Sequence, residues 1–407
     1  MKKTFILLVL SLIILTSCNK KVKTQEDYIR AISDYTKSIE LDPNNVDTYL
    51  LRAESKRNLK DYSGAIADYT KAIELNPNDA SIYSKRGVLK RNLKEYDGAI
   101  ADYTKAIELD PNNANAYLLR AESKIKLKDF NGAIANFTKA IELDPNDFGA
   151  YLLRGKSKRD LKDFNGAIAD YTKSIELDPN NVDAYLLRAE SKRNLKDYSG
   201  AIGDYTKAIE LDPNDASIYF KRGKSKRILK EYDGAIADYT KAIELDPNNV
   251  DAYLLRAESK RNLKDYSGAI VDYSKAIELD PNNAKDKNFS ANAQIKRTRA
   301  YFNRGEVKID LKDYDGAIAD YTKAIELNPN NANTFINRAI GKVGLKDYDG
   351  AIADYTKAIE LNPNDAIAYY SRGYIKSFWG LDSEACQDIR KAQKLGVDVK
   401  ELIDVCN

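Results

Sequence analysis

Proline occurs at only ten positions in this chain of 407 residues, and each of the ten is followed by Asn. Eight of the nine intervals between successive prolines are 34 residues long, and the ninth, from Pro281 to Pro329, is 48. A fixed period of this length is typical of a repeat array, in which one small unit recurs and buries its apolar surface against its neighbours. The chain is therefore expected to be an array of one unit with 14 extra residues at one place.

Each unit carries the apolar spacing of a helix in both of its halves. Asp61 is placed to N-cap the second helix of the unit 46–79, and Pro77 ends that helix because proline disfavours helical geometry at the preceding residue. The unit is therefore predicted to be a pair of helices. The clearest apolar set lies at i, i+1, i+4, i+7 and i+8: Ala65, Ile66, Tyr69, Ala72 and Ile73.

The unit resembles the tetratricopeptide repeat at its signature positions. These are an aromatic residue at position 4, small residues at 8, 20 and 27, an aromatic residue at 24 and proline at 32: Tyr49, Ala53, Ala65, Ala72, Tyr69 and Pro77. The resemblance implies an all-α, right-handed superhelical solenoid of antiparallel helix pairs. Ten units follow a lone second helix at 27–41: 46–79, 80–113, 114–147, 148–181, 182–215, 216–249, 250–283, 298–331, 332–365 and 366–399.

The array 27–283 and the three units 298–399 are separated by an insertion at 284–297. Ser290 is placed to N-cap an extended first helix of the eighth unit, but a flexible loop is an equally open alternative. At the C-terminus, residues 398–407 are expected to form a capping helix, because Asp398 and Glu401 have the spacing of a capping box.

Two positions depart from the family pattern, since position 7 is Arg and position 11 is Lys in all ten units. Position 23 on the second helix is Asp in nine units, and Asn136 is the exception. The pairing of cations with Asp in unit after unit favours a ladder of ion pairs between the helices, whereas the alternative is a basic strip for an anionic ligand.

Positions 2, 5, 6, 9, 12 and 13 of the first helix form a stripe separate from the packing positions 4 and 8, and in the tetratricopeptide repeat family this second stripe lines the concave face. Leucines there suggest a ligand groove with a mixed-charge rim, while burial against the neighbouring unit is the alternative. The candidate groove residues are Leu51, Glu54, Arg57, Leu119, Leu153, Leu187, Glu190, Arg193, Leu255 and Glu258.

Composition and motifs argue against catalysis. The chain contains no His, which excludes His-based nucleophile pairs and His metal ligands. It carries no nucleotide-binding or zinc motif, and its Asp-Pro-Asn-Asn runs lack the spacing of a calcium loop. With 65 Lys and Arg against 62 Asp and Glu, no global charge favours nucleic acid. No catalytic residue, metal or cofactor is therefore expected.

The N-terminus predicts export and lipidation. Residues 1–17 combine a basic head with the apolar run Phe5–Leu15, which is too short to span a bilayer and is typical of a signal peptide. The sequence Leu15-Thr16-Ser17-Cys18 resembles the bacterial lipobox, which implies acylation of Cys18, as with palmitate, and a tether over 18–26. We therefore expect a lipoprotein on the extracytoplasmic side of a membrane in the bacterial cell envelope, although an ordinary secretory signal remains the alternative.

Cys386 and Cys406 are the two cysteines left once Cys18 is acylated, and an oxidising compartment favours a disulfide between them. If the helix ending near Leu395 and the cap helix form a hairpin, the two sulfurs lie ~15 Å and ~12 Å from its turn, at similar heights. Two free buried thiols are the alternative.

Taken together, these features favour a membrane-anchored, non-enzymatic scaffold that binds a peptide or protein segment. A structural spacer or an assembly factor for envelope or secretion components, without a single groove ligand, is the second hypothesis.

Overall fold

A computed structural model of the protein describes residues 24–279, 291–380, 382–399 and 406. Within these residues there are 21 helices and no strand, which confirms the all-α prediction. The chain divides into two compact bodies, residues 1–184 and 185–407, here called the N-terminal body and the C-terminal body. In each body consecutive helices pack as antiparallel pairs.

A lead helix, α1, spans Gln25–Leu41 and precedes the ten predicted repeats. The first helices of repeats 1–10 are called A helices and are α2 Val46–Asn58, α4 Ala80–Asn92, α6 Ala114–Lys126, α8 Phe148–Asp160, α10 Val182–Asn194, α12 Ala216–Ile228, α14 Val250–Asn262, α16 Ala291–Asp310, α18 Ala332–Gly344 and α20 Ala366–Phe378. The second helices are called B helices and are α3 Tyr62–Leu75, α5 Tyr96–Leu109, α7 Phe130–Leu143, α9 Phe164–Leu177, α11 Tyr198–Leu211, α13 Tyr232–Leu245, α15 Tyr266–Leu279, α17 Tyr314–Leu327, α19 Tyr348–Leu361 and α21 Asp382–Lys394.

Side-chain caps hold the N-terminal ends of most helices, and that of Asp61 is as predicted. Asn45 accepts a hydrogen bond from the backbone N–H of Thr48 at 3.1 Å, and Asp61 accepts one from Gly64 at 2.9 Å. Between α2 and α3 the chain turns at Lys60, whose φ of 62° lies in the left-handed region. Lysine occupies this turn position in repeats 1–9, and Gly380 occupies it in repeat 10 with φ 69°. A tight turn of this kind places the two helices of a repeat side by side.

Small residues and one large aromatic ring form the core of repeats 1–9, and in repeat 10 the position of the ring is held by Ile389. Ala53, Ala65, Tyr69 and Ala72 are fully buried in repeat 1, as their helical spacing predicts. In repeat 2 the ring of Tyr103 lies so close to the A helix that a Cβ added at the small position 8 would stand 2.7 Å from it. The A and B helices can therefore pack with their backbones close together.

The predicted ladder of ion pairs is confirmed. In repeat 1 the guanidinium of Arg52 and the ammonium of Lys56 both contact the carboxylate of Asp68, at 2.7 and 2.8 Å. The Asp68 side chain is only 4% exposed, and Arg52 also lies over the ring of Tyr49 at 5.7 Å. The same Arg, Lys and Asp cluster recurs in all nine repeats that carry Asp.

The ladder also joins neighbouring repeats, because Arg86 of repeat 2 donates to the Thr70 hydroxyl of repeat 1 at 3.0 Å. These cations are therefore held by structural partners, which argues against the alternative of a basic strip for an anionic ligand.

The insertion before repeat 8 lengthens an A helix. Helix α16 has 20 residues, whereas the other A helices have 13, so residues 291–297 of the predicted insertion are helical. Ser290, the proposed N-cap, lies outside the described residues. Stacking continues past the insertion, since Arg304 donates to the Ser274 hydroxyl of repeat 7 at 2.8 Å, the equivalent of the Arg86 bond.

The predicted capping helix at 398–407 lies mostly outside the described residues. Val399 is 3% exposed and packs against Ala385, Ile389 and Ala392 of α21, so this residue covers the apolar face of the last helix. None of the helices in the described part of the chain has the combination of length and hydropathy that crossing a bilayer requires.

Candidate interaction surface on the A helices

The six positions 2, 5, 6, 9, 12 and 13 of each A helix are here called the A-helix stripe, and the predicted groove leucines at position 6 differ widely in exposure. Leu51 is 44% exposed, whereas Leu255 is 7% exposed. The other three candidates, Leu119, Leu153 and Leu187, are partly buried. The leucines therefore do not form one uniform exposed row.

The preceding repeat explains these differences. Leu255 packs against Ala235, Tyr239 and Phe220 of repeat 6, so its prediction as an exposed groove residue is wrong and the burial alternative applies. Leu153 packs against the core of repeat 3. Leu51 keeps its exposure in repeat 1, where only the lead helix precedes its repeat.

The predicted charged rim is occupied by ion pairs between adjacent repeats of the same body. Glu54 pairs with Lys85 at 2.9 Å, and Glu190 pairs with Lys221 at 2.8 Å. Glu258 accepts from Arg299 and, at 3.4 Å, from Arg227. Because these side chains are 16–46% exposed, each pair adds little to stability, but it reduces the charge left for a ligand.

The two remaining rim arginines differ in exposure. Arg57 is exposed on the A-helix stripe of repeat 1, whereas Arg193 is partly buried beside Tyr205. Burial raises the pKa of Tyr205, and the charge of Arg193 opposes that rise. The same environment recurs at Tyr103, where burial raises the pKa to about 12. These phenols stay protonated at neutral pH and act as packing groups.

Large exposed apolar side chains also lie on a part of the A-helix stripe that contains none of the predicted leucines. In α20 the residues Tyr374 and Phe378 are 44% and 72% exposed, and their rings meet edge to face with centroids 4.9 Å apart. In α18 the equivalent of Glu54 is Ile340, which is 42% exposed. The sequence contains a signal for this surface. Positions 9 and 13 are Glu and Asn in repeat 1 but are both aromatic in repeat 10.

The cysteines at the C-terminal end are joined. Cys386 of α21 and Cys406 form a disulfide with their Cα atoms 5.2 Å apart, and the guanidinium of Arg390 donates to the backbone carbonyl of Cys406 at 3.2 Å. The bridge fixes residue 406 against the last helix.

Two further predictions concern the lipidation site and metal binding. Cys18 and the signal segment 1–17 lie outside them, so the lipidation site stays a prediction. Within the described residues no group of three or more acidic or Cys side chains is arranged to hold a metal ion.

Family models of the tetratricopeptide repeat match most of the chain. One model described as tetratricopeptide repeat matches residues 80–113, 250–283 and 298–331, and a second matches 114–147. A model described as TPR repeat matches residues 53–92, 155–192, 191–227, 223–260 and 345–376. A search of curated proteins found no match.

Solved structures resemble the chain at low sequence identity. The C-terminal part of a TPR repeat-containing protein from Cytophaga hutchinsonii is 20% identical, covers 62% of this chain and 98% of its own, and superposes with a TM-score of 0.55. The MamA protein is 27% identical over 44% of this chain and 97% of its own, with a TM-score of 0.42. YrrB, described as a TPR protein with an unusual peptide-binding site, is 24% identical over 47% and 97%, with a TM-score of 0.42.

Proposed function

Because the chain belongs to the tetratricopeptide repeat family, whose members are generally protein-interaction scaffolds without enzymatic activity, we propose that it is a non-enzymatic scaffold that binds a protein or peptide segment along the A-helix stripe. The observation that carries the proposal is the exposure of large apolar side chains on A helices, such as Leu51 and Phe378. The stripe charges Glu54 and Glu190, in contrast, are held in ion pairs with Lys85 and Lys221. Contiguous exposed apolar surface, such as that formed by the adjoining rings of Tyr374 and Phe378, marks contact surfaces.

The proposal includes a lipid anchor on Cys18 that holds the scaffold at the extracytoplasmic face of a bacterial membrane. Its support is the sequence Leu15-Thr16-Ser17-Cys18 directly after an apolar run of 11 residues. Two or three acyl chains would give stable attachment, whereas a single chain gives only reversible binding.

Site-specific photocrosslinking in intact cells tests the proposal. A benzoylphenylalanine is placed at Leu51 in the N-terminal body or at Ile340 in the C-terminal body, which are 44% and 42% exposed. The matched control site is Val271 on a B helix, which is 65% exposed. We expect discrete protein adducts from the two A-helix sites and not from Val271.

A spacer or assembly factor without a groove ligand predicts another result. In that case Leu51 and Ile340 would give no adducts, or adducts no stronger than those from Val271.

A further inference from the structure

The A-helix stripe changes its chemistry in the last two repeats. In each of repeats 1–8 at least two of its six positions carry a charged residue, whereas in repeats 9 and 10 none of the twelve does. Position 9 changes from Glu54 in repeat 1 to Ile340 and Tyr374, and position 13 changes from Asn58 to Gly344 in repeat 9 and Phe in repeat 10.

The uncharged stripe of repeat 10 is a row of aromatic rings. Tyr370, Tyr374 and Phe378 lie at i, i+4 and i+8 of α20, so the row extends about 12 Å along the helix. The centroids of Tyr370 and Tyr374 are 6.4 Å apart with nearly parallel rings, and those of Tyr374 and Phe378 are 4.9 Å apart. The row is therefore continuous.

A cleft of about 320 Å³ adjoins this row. Its walls include Val343 of repeat 9, Tyr348 at the start of α19 and Trp379 after α20. The rings of Tyr348 and Trp379 meet edge to face at 6.0 Å, and Trp379 remains 49% exposed. The cleft gives an apolar side chain of a ligand a place to be buried.

An acidic pair borders the uncharged stripe on its repeat 8 side. Glu306 and Asp310 share one cation, Arg261, at 2.6 and 3.6 Å, so this group carries one excess negative charge. The same three residues line a smaller cleft together with Ile340. The apolar surface is therefore joined to an anionic border.

We propose that repeats 9 and 10 dock the apolar face of an amphipathic segment of a partner protein, with a Lys or Arg of that segment placed against Glu306 and Asp310. The inference rests on the proposed function and names its class of ligand. A charged group on the docking face would be desolvated without a counter-ion, so that face must be apolar. A Lys or Arg at the edge of that face would form an ion pair with the acidic group of Glu306 and Asp310, which has one excess negative charge.

Binding of a defined peptide by the purified full chain tests the inference. The probe is an 18-residue helical peptide with Leu at i, i+3, i+4 and i+7 and two Lys at one end. A scrambled peptide of the same composition and a peptide with Glu in place of the two Lys are the comparisons. Trp379 is the only Trp of the chain, so its emission reports on this cleft directly. We expect the Lys peptide to shift that emission to the blue and to bind about tenfold more tightly than either comparison peptide.

A variant of repeat 10 that carries the residues of repeat 1 also tests the inference. Tyr374→Glu with Phe378→Asn installs what repeat 1 carries at positions 9 and 13, and it leaves Trp379 in place. We expect this variant to lose at least about tenfold in affinity by anisotropy of a labelled peptide. Val271→Asn, at an exposed apolar site on a B helix outside the A-helix stripe, is the control and keeps full affinity. Equal far-UV circular dichroism shows that each variant is folded.

Three results would overturn the inference: equal binding of the scrambled peptide, unchanged affinity of the double variant, or binding to phosphatidylglycerol vesicles in place of the peptide. If Leu51 gives crosslinks in cells while the peptide does not bind, the inference fails and the proposed function stands.

Discussion

Arg120 donates a hydrogen bond from its Nε to the amide oxygen of Asn136 at 2.7 Å, where the equivalent arginines of the nine other repeats meet a carboxylate. Because repeat 3 has no carboxylate at this position, Lys124 pairs with Asp129 at 2.7 Å instead. Burial lowers the pKa of Arg120, and the hydrogen bond from Lys124 lowers the pKa of Asp129. Repeat 3 is thus a natural variant of the ion ladder within one chain.

We predict that Asn136→Asp stabilises repeat 3. The new carboxylate would accept two charge-assisted hydrogen bonds from Arg120, as Asp102 does from Arg86 at 2.9 and 2.6 Å in repeat 2. The free energy of local opening should rise by about 1–3 kcal/mol, with desolvation of the carboxylate opposing part of the gain. Hydrogen exchange of the α6 and α7 amides measures the change. The reverse substitution Asp102→Asn should lower protection in α4 and α5, and unchanged exchange in both variants would contradict the prediction.

We predict that the buried tyrosines weaken the fold at alkaline pH. Burial raises the pKa of Tyr103 from 10.0 to about 12. Between these values the unfolded chain releases the proton while the folded chain keeps it, so stability is complete below pH 10 and falls as the pH rises towards 12. Tyr103→Phe should move the onset of unfolding of repeat 2 to higher pH, because Phe137 already occupies this position in repeat 3.

The measurement is tyrosinate absorbance together with circular dichroism between pH 8 and 12. Among the described residues the Tyr103 hydroxyl has no hydrogen-bond partner, so the variant should keep its stability at pH 7. An alkaline transition identical to that of the parent would count against a role for Tyr103.

We predict opposite outcomes for two leucines that occupy the same repeat position. Leu255 is buried against Tyr239 and Phe220, so Leu255→Asn should destabilise repeat 7 by about 2–4 kcal/mol through lost packing and a buried amide. Leu51→Asn should change stability by no more than about 0.5 kcal/mol. Thermal unfolding and hydrogen exchange of α2 and α14 compare the two. Equal effects of the two substitutions would contradict the prediction.

The same leucines show how far the sequence predicts this protein. The 34-residue period and the helical spacing around Tyr69 predict the helix pairs, because these features depend on contacts within one unit. The pairing of Arg52 with Asp68 is predictable for the same reason. The burial of Leu255 depends on Phe220 in the neighbouring unit, which single-unit patterns do not contain. The uncharged stripe requires comparison of the same position across repeats.

We predict that oxidised protein contains the Cys386–Cys406 bridge seen in the structure. Closing a loop with a sequence separation of 20 restricts the unfolded chain and should stabilise the last repeat by about 3 kcal/mol. Peptide mass spectrometry without reductant should identify the linked pair, and reductant should increase hydrogen exchange in α21. A variant with Ser at both positions should be insensitive to reductant. Alkylation of both thiols in unreduced protein would contradict the prediction.

We predict that Cys18 carries the membrane anchor, because it follows Leu15, Thr16 and Ser17 at the end of the apolar run. Cells fed a labelled fatty acid should incorporate the label into the protein, and the protein should partition into the detergent phase. Cys18→Ala should abolish both, since no second acylation site follows the apolar run in this motif. Cys386→Ser is the matched control, because it also removes one cysteine but should leave label and partitioning intact. If the Cys18 variant kept both properties, the protein would be attached to the membrane by another means.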